Sequence, residues 1–406
     1  MLAFSLRQIR TFLAVEKHAS VTAAARFVCR SQTSVTKSIQ DLEKAIDAPL
    51  FDRTSKGMNL TAYGEVLLRH AREAAAAFGE AQKLVPPRTV ERSSGTARFF
   101  QMDVSDKWVS AFLATVEHQN TVAAAHSLGI SPAGISSSVR KLEDSLGFTL
   151  FERIPNLIVP TTIASELARY IKLARSQLRH AEDELSSLKG VHSGRVAIGA
   201  LPLLRTTVVP KAILKLLEEH TYIDISTLEG TYDTLVSALR CGDIDFMVGA
   251  LRGLSGDEEL AEEPLLDERL AVIARHHHPL QQVEAPNWSS ALEFGWVLPR
   301  RGTPTRSLFE QLLSERGLPV PEHVIETSSM VTLRGLLLES DRVTVLSRHQ
   351  VHYDELYGLL CALPINLEDP PRAIGITTRA NSVLAPAAEL LIEEIRAAVA
   401  DLESPA

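Results

Sequence analysis

The sequence has few cysteines, and their positions do not suggest pairing. Only Cys29, Cys241 and Cys361 occur among 406 residues, and they are far apart in the chain. Isolated cysteines in an odd number differ from the disulfide frameworks of secreted domains and from paired-cysteine zinc motifs. The sequence therefore predicts a protein of a reducing compartment, without a disulfide scaffold.

Long apolar runs are also missing. No stretch of about 18 consecutive apolar residues occurs, so no membrane span is predicted. Arg7 and Arg10 interrupt the N-terminal segment where a secretory signal would need its apolar part. We therefore expect a cytoplasmic protein.

Sequence motifs of common enzymes are absent as well. The chain has no GxSxG, GxxxxGK[ST] or HExxH motif, and no GxGxxG after a predicted strand. His276, His277 and His278 are consecutive, so their side chains point in different directions, and no carboxylate or cysteine stands at ligand spacing. We expect no enzymatic activity, no metal and no cofactor.

What the sequence does contain is an internal repeat. Residues 12–61 and 112–161 align without a gap at an offset of 100, and fifteen of the fifty aligned positions are identical. The identical positions include the alanine triplets at 23–25 and 123–125. A chain of 406 residues with 45% hydrophobic and 23% charged residues is typical of several globular domains. The sequence thus predicts one duplicated domain and at least one further domain.

The first copy is predicted to form three short helices and a wing. Ser31 is placed to cap the third helix, in which Val35, Ile39, Leu42 and Ile46 recur at spacings of four, three and four and define a buried stripe. The residues between them must face outward, with hydrogen-bonding groups and positive charges suited to base edges and phosphates. The candidate DNA-contacting residues are Arg30, Gln32, Thr33, Ser34, Thr36, Lys37, Gln40, Arg53 and Lys56. A polar outer face alone is weak evidence, because any three-helix bundle has one.

The segment from Phe4 to Leu68 resembles the winged helix-turn-helix of LysR-type transcriptional regulators. The resemblance rests on Ser31-Gln32, the Leu42-Glu43 pair, the segment 49–53 and Thr61 with Gly64. Thr33 departs from the family, which most often has proline there. The resemblance implies sequence-specific binding to double-stranded DNA.

The second copy keeps the fold pattern but loses positive charge. Residues 1–60 hold nine basic and five acidic residues, a net charge of +4, whereas residues 101–160 hold four and six, a net charge of −2. Ser137 stands where the first copy has Lys37, and Ile130 where it has Arg30. We therefore expect either auxiliary DNA contacts, through Ser136, Ser137 and Arg140, or packing against protein.

A long helix is predicted after each wing. In the second helix the apolar residues alternate spacings of four and three, as in a coiled-coil seam, and the first helix keeps the same register. The seam residues are Leu167, Ile171, Ala174, Leu178, Ala181, Leu185 and Leu188, matched by Leu67, Ala71, Ala74, Phe78, Ala81 and Val85. Packing on its own domain remains an equal alternative for the first helix. For the second we favour dimerisation, because LysR-type proteins pair their DNA-binding domains through the corresponding helix. Residues 86–95 have loop composition and separate the copies.

From Gly194 onward, short β-rich runs alternate with helices, which predicts parallel sheets in a two-lobed α/β domain. This region resembles the effector-binding domain of LysR-type regulators, itself similar to periplasmic binding proteins. Segments such as VAIGALPLLRTTVVPKAI look closest to the subgroup that includes a galactose-binding-protein regulator. The turns that match ligand-lining loops carry Leu201, Pro202, Thr231, Thr303, Ser328 and Ser329. Their hydroxyls are equally suited to capping the helices that follow.

These observations predict an α/β multidomain protein with two winged helix-turn-helix domains and a periplasmic-binding-protein-like effector domain. The expected divisions are a first winged domain at 1–60, a helix and linker at 61–104, a second winged domain at 105–160, a linker or dimerisation helix at 161–190 and the effector domain at 193–402.

The resemblance implies a transcriptional regulator that acts as a homodimer or homotetramer with RNA polymerase. Its effector would be a small metabolite such as a sugar, a sugar acid or an aromatic acid. The alternative is a metabolite sensor or carrier whose DNA-binding modules are vestigial, which would bind ligand without salt-dependent DNA binding.

Overall fold

The structure is a computed structural model. It describes residues 4–54, 57–85, 94–154, 157–190, 193–254, 257–368, 370–380 and 382–403. Within these residues no helix is both long and apolar enough to cross a lipid bilayer.

The first repeat folds as predicted, with three helices, a two-stranded wing and a long helix. Its elements are α1 (Leu6–His18), α2 (Val21–Phe27), α3 (Gln32–Ile46), β1 (Phe51–Thr54), β2 (Gly57–Leu60) and α4 (Ala62–Lys83). The side chains of Ser20, Ser31 and Thr61 accept hydrogen bonds from backbone amides and cap α2, α3 and α4. The predicted stripe of α3 is buried throughout.

The second repeat reproduces these elements and adds a short helix before them. Its elements are α5 (Ser94–Phe100), α6 (Asp106–His118), α7 (Thr121–Leu128), α8 (Pro132–Leu146), β3 (Phe151–Ile154), β4 (Leu157–Pro160) and α9 (Thr162–Ser187). The loop expected at 86–95 is wrong at its end, because Ser94 and Gly95 begin α5, where Gly95 lies against Ser145. Residues 86–93 lie outside the described residues.

The two long helices α4 and α9 pack against each other within one chain. Their stripes belong to one continuous apolar core that also includes both winged domains. The predicted seam of α9 therefore lies against the same chain and not against a second protomer. Leu188, its last predicted member, is 47% exposed and takes no part in this core.

The first lobe of the effector domain is a five-stranded sheet flanked by helices. Its elements are β5 (Ser193–Ala200), α10 (Pro202–Arg205), α11 (Val208–Glu219), β6 (Tyr222–Leu228), α12 (Tyr232–Arg240), β7 (Phe246–Ala250), β8 (Leu260–Glu268), β14 (Arg372–Arg379) and α17 (Pro386–Glu403). The strand order is β6-β5-β7-β14-β8. Strands β5, β6 and β7 are parallel, as expected, but β14 is antiparallel to both β7 and β8. The predicted parallel arrangement is therefore confirmed for β5, β6 and β7, but it is wrong for β14 and β8.

The second lobe is inserted between β8 and β14 and has its own core. Its elements are β9 (Leu270–Arg275), α13 (Trp288–Leu292), β10 (Val297–Leu298), α14 (Pro304–Glu315), β11 (Ile325–Glu326), α15 (Met330–Leu338), β12 (Thr344–Ser347), α16 (His352–Leu356) and β13 (Leu360–Ala362). Strands β12-β9-β13 form an antiparallel sheet, and β10 pairs with β11 in parallel. The chain thus passes twice between the lobes.

Candidate nucleic-acid interface and ligand cleft

The outer face of α3 has the geometry of a recognition helix. Gln32, Thr33, Lys37 and Gln40 are exposed, and Ser34 and Thr36 are half-buried beside them. The Ser34 amide donates to the Ser31 hydroxyl over 3.2 Å, and the Thr33 hydroxyl lies 2.9 Å from the same oxygen. These bonds fix the first turn of the helix without proline at position 33. The α3 candidates therefore share one accessible surface.

Only part of the predicted DNA contacts of the wing lies within the described residues. Arg53 lies in β1 opposite Met58 of β2, so its backbone is fixed at the tip-proximal end of the hairpin. The Arg53 side chain and all of Lys56 lie outside the described residues. Their contact with DNA remains a prediction.

Arg30 belongs to an arginine cluster that the sequence did not suggest. Arg7, Arg10, Arg30 and Arg98 each approach a carboxylate oxygen of Asp103, at 2.8 to 3.4 Å. Burial opposes ionisation of Asp103, but the hydrogen bond from Arg98 and the surrounding guanidinium charges lower the pKa of Asp103 below its usual value. The cluster has four positive charges to one negative and lies next to the start of α3. Its partners are up to 96 residues apart, so no local pattern could reveal it.

The second winged domain has the same shape with a different surface. Ser137 and Arg140 are exposed on α8 and Ser136 is half-buried, which matches the burial of Lys37, Gln40 and Thr36. Large apolar side chains are exposed around this helix. They are Ile130 at 46%, Ile154 at 51% and Leu157 at 43% exposure. The surface is thus less suited to phosphates than that of the first domain.

The predicted ligand-lining turns collect at strand ends, one group on each lobe. Strands β5 and β6 are parallel neighbours, so the turns with Leu201 and Thr231 meet at their carboxyl ends. Strands β10 and β11 likewise bring together the turns with Thr303 and Ser329. The carboxyl ends of parallel strands are the usual position for ligands in α/β domains.

Several of these residues already have bonds within the chain. Thr231 and Ser329 cap α12 and α15 by accepting from the amides of Thr234 and Thr332. The Thr303 hydroxyl donates to the Arg300 carbonyl over 2.8 Å. The Leu201 amide donates to the Val248 carbonyl and is not available to a ligand. Pro202 and Ser328 are exposed beside them. Capping is therefore observed, and a role in effector binding remains a prediction.

Helix α9 also contacts the first lobe, through polar groups that the sequence did not single out. His180 Nε2 lies 2.8 Å from Asp245 Oδ1, and both side chains are almost completely buried. Lys172 pairs with Asp243, and Arg179 donates to the Gly242 carbonyl. A crevice of about 820 Å³ separates α6 from strands β5 and β6 beside these contacts. Lobe 1 is thus tied to the helix that packs on α4.

His278 of the histidine triplet has a structural role. Its Nε2 lies 3.1 Å from the Asp341 carbonyl, and its Nδ1 accepts from the Leu280 amide. Among the described residues no group of three or more potential ligands could hold a metal ion.

Two family models match the chain. The model of the LysR substrate binding domain matches residues 189–400, and that of the bacterial regulatory helix-turn-helix protein, lysR family, matches twice, at 6–65 and 107–165. Both repeats are thus members of one domain family.

Curated relatives and solved structures agree with these matches. The chain is 34% identical to the HTH-type transcriptional regulator GalR of Pseudomonas putida over 400 residues, covering 98% of each chain. It is 30% identical to GbpR of Azospirillum brasilense, covering 74% of this chain and 88% of that protein.

In fold, the chain is similar to CbnR, a LysR family transcriptional regulator, with a TM-score of 0.54 at 16% identity, covering 73% of this chain and 99% of that one. A full-length OxyR variant from Pseudomonas aeruginosa gives a TM-score of 0.52 at 22% identity, with coverage of 72% and 95%. The named relatives are transcriptional regulators and not enzymes.

Proposed function

The chain belongs to the LysR family of transcriptional regulators, and we propose that its first winged domain is the specific DNA reader of an assembly controlled by a small metabolite. Regulators of this family bind DNA and small-molecule effectors and form oligomers. The proposal concerns which residues of this chain carry these activities. We place the protein in the cytoplasm, where its DNA target would be.

The proposal rests on the difference between the outer faces of α3 and α8. Both helices have the same backbone, caps and buried stripe, so the fold does not favour one of them. Lys37 is exposed on α3, whereas Ser137 is exposed at the equivalent position of α8. A lysine near a phosphate releases counterions on binding, and serine does not. The first domain therefore supplies most of the affinity, and the second adds auxiliary contacts through Ser136, Ser137 and Arg140.

The cleft between the lobes is the proposed effector site. Helix N-termini carry partial positive charge and free amides, which suit anionic or hydroxylated ligands. Three such termini follow the turns at Thr231, Thr303 and Ser329, and a single helical turn follows Leu201. A sugar, a sugar acid or an aromatic acid fits this chemistry.

The contacts of α9 offer a route for the response. Effector binding would shift the lobes relative to each other, and lobe 1 would displace α9 through Asp245 and Asp243. Because α9 packs on α4, both winged domains would then move relative to the DNA. The changed spacing or bend would alter access for RNA polymerase within a homodimer or homotetramer.

A footprint of the purified full chain on DNA upstream of its own and neighbouring genes tests the proposal. We expect a discrete protected site that weakens as salt is raised. A chain with Ser137→Lys should bind more tightly than the unmodified protein, since it restores the missing cation. Absence of protection at every salt concentration would instead favour the metabolite sensor or carrier.

A further inference from the structure

Equivalent residues of the two repeats meet at one place in the structure. The amide of Leu6 at the start of α1 donates to the carboxylate of Asp106 at the start of α6, over 3.4 Å. These positions differ by 100, the offset of the repeat. Two equivalent positions can be neighbours only near the axis that relates the copies. Any rotation axis that relates the two winged domains must therefore pass close to this contact.

The long helices run in antiparallel directions. His70, in the first half of α4, lies 3.1 Å from Gln177 and 2.9 Å from Glu184, which are in the second half of α9. Ala71, Ala74 and Ala174 are fully buried between them. Small side chains at a crossing let two helices approach closely. Helices α4 and α9 therefore form a close-packed interface.

The last carbonyl of α3 and the last carbonyl of α8 each accept a hydrogen bond from a segment that follows one of the long helices. Lys189, which follows α9, donates to the Ile46 carbonyl at the end of α3. The Thr96 hydroxyl of α5 donates to the Leu146 carbonyl at the end of α8 over 2.7 Å. Residues 46 and 146 are equivalent in the two repeats, although the donors Lys189 and Thr96 are not. The ends of both α3 and α8 are therefore held by other parts of the chain.

We propose that a single chain forms a complete DNA-binding unit with two recognition helices, and that it reads two unlike half-sites. This inference rests on the proposed function and adds the form of the target. An internal twofold axis would place α3 and α8 in opposite directions, as two protomers of a helix-turn-helix dimer are placed. Their different outer faces require a different sequence in each half. The two half-sites of the DNA target would be inverted relative to each other, but they would differ in sequence.

The surface left on α4 supports this assignment. Its exposed residues include the charged Glu65, Arg72, Glu73 and Glu80, and the apolar ones among them are small, so α4 exposes no large apolar side chain to another chain. The opposite side of α9 is occupied by lobe 1 through the contacts of His180 and Lys172. Chains that assemble further must therefore use other surfaces than this helix pair.

Cross-linking of the full chain tests the pairing without DNA. Arg69→Cys and Glu184→Cys, combined with Cys29→Ser, Cys241→Ser and Cys361→Ser, place two thiols where side chains now touch at 2.8 Å. A short bis-maleimide should link them within one chain, so that both thiols are consumed while the protein still runs at its single-chain mass of 44.5 kDa under denaturing conditions. A linked species of twice that mass, or no link at all, would overturn the proposal.

A matched pair of cysteines controls for helix direction. Ser165 lies 19 residues before Glu184 on α9, roughly 28 Å along the helix axis. The variant with Arg69→Cys and Ser165→Cys should give no intrachain link, whereas parallel helices would link it readily. Single-cysteine variants show the background between chains.

An iron chelate attached to the recognition helices tests the half-sites. Asp41→Cys on α3 and Lys141→Cys on α8 are exposed and equivalent. In each protected DNA segment, the iron chelate of the Asp41→Cys protein should cleave the DNA on one side of the centre. The chelate of the Lys141→Cys protein should cleave it on the other side. Symmetric cutting on both sides by the Asp41→Cys protein alone would overturn the proposal. If no DNA is protected, the proposed function fails, while the cross-link result still decides how the helices pair.

Discussion

His180 of α9 and Asp245 at the start of β7 form a buried bridge between the DNA-binding module and the first lobe. Asp245 also accepts the Ala197 amide over 2.8 Å, and His180 Nδ1 lies 3.2 Å from the Val383 carbonyl. Burial disfavours the charge on Asp245, but the His180 contact, the Ala197 amide and the charge of Arg379 together outweigh burial and lower the pKa of Asp245 below its usual value. The buried side chains of Asp245 and His180 therefore make their hydrogen bonds to each other and to two backbone groups.

Replacement of Asp245 by asparagine should lower the free energy of unfolding of the full chain by about 3 kcal/mol, because the buried His180 ring and the Ala197 amide lose a carboxylate as their hydrogen-bond partner. Urea unfolding at pH 7.5 measures the effect. Asp243→Asn is the matched control: its carboxylate pairs with Lys172 but is 44% exposed, so a loss of less than about 1 kcal/mol is expected. Equal losses in the two variants would contradict the special role of the bridge.

Lys37→Ala should weaken DNA binding on all sequences and reduce the slope of log affinity against log salt by about 1. Arg140→Ala on the second recognition helix should have a smaller effect on both quantities. Affinity measured by fluorescence anisotropy at several salt concentrations checks this. Losses of the same size would show that the two winged domains contribute equally.

The pairing of α4 and α9 should contribute strongly to stability. Leu178 is fully buried between them, so Leu178→Ala should cost about 2–5 kcal/mol through lost burial and a cavity. Leu188→Ala removes the same atoms from a residue that is 47% exposed and should cost much less. Thermal unfolding of the two proteins, side by side, distinguishes them. A small effect at Leu178 would mean that the helices separate easily.

Asp183 gives a pH-dependent prediction. Burial raises its pKa to about 6, and the neighbouring His180 opposes this only in part. A raised pKa in the folded state means that ionisation costs stability as pH rises from about 4 to about 6. Asp183→Asn should therefore stabilise the protein by about 1–3 kcal/mol above pH 6 and have little effect near pH 4.

Urea unfolding at both pH values tests this, with Asp144→Asn, at an exposed site on α8, as the control. A benefit that is independent of pH would contradict the titration of Asp183.

Local features of the fold were predictable from the sequence. The cap at Ser31 and the stripe of α3 depend on residues within one or two turns, and the structure confirms them. Strands β8 and β13 were not predicted, and neither was the antiparallel placement of β14. A strand's partner is chosen by tertiary packing and not by the strand's own sequence.

The partner of α9 was the main uncertainty. An apolar stripe gives the same pattern whether it packs on its own domain, on a second chain or on a repeat of itself. The polar contacts of Asp103 and His180 join residues far apart in sequence, so spacing carried no signal for them. The contacts of Arg30 with Asp103 were hidden for the same reason.

The gapless repeat at an offset of 100 has a consequence for how the target site can change over generations. In a regulator built from two identical chains, one codon change alters both half-sites at once, so operator and protein must stay symmetric. Here each recognition helix has its own codons, and a change at Lys37 leaves Ser137 untouched. One half-site of the operator can therefore change in sequence while the other half-site still binds the protein.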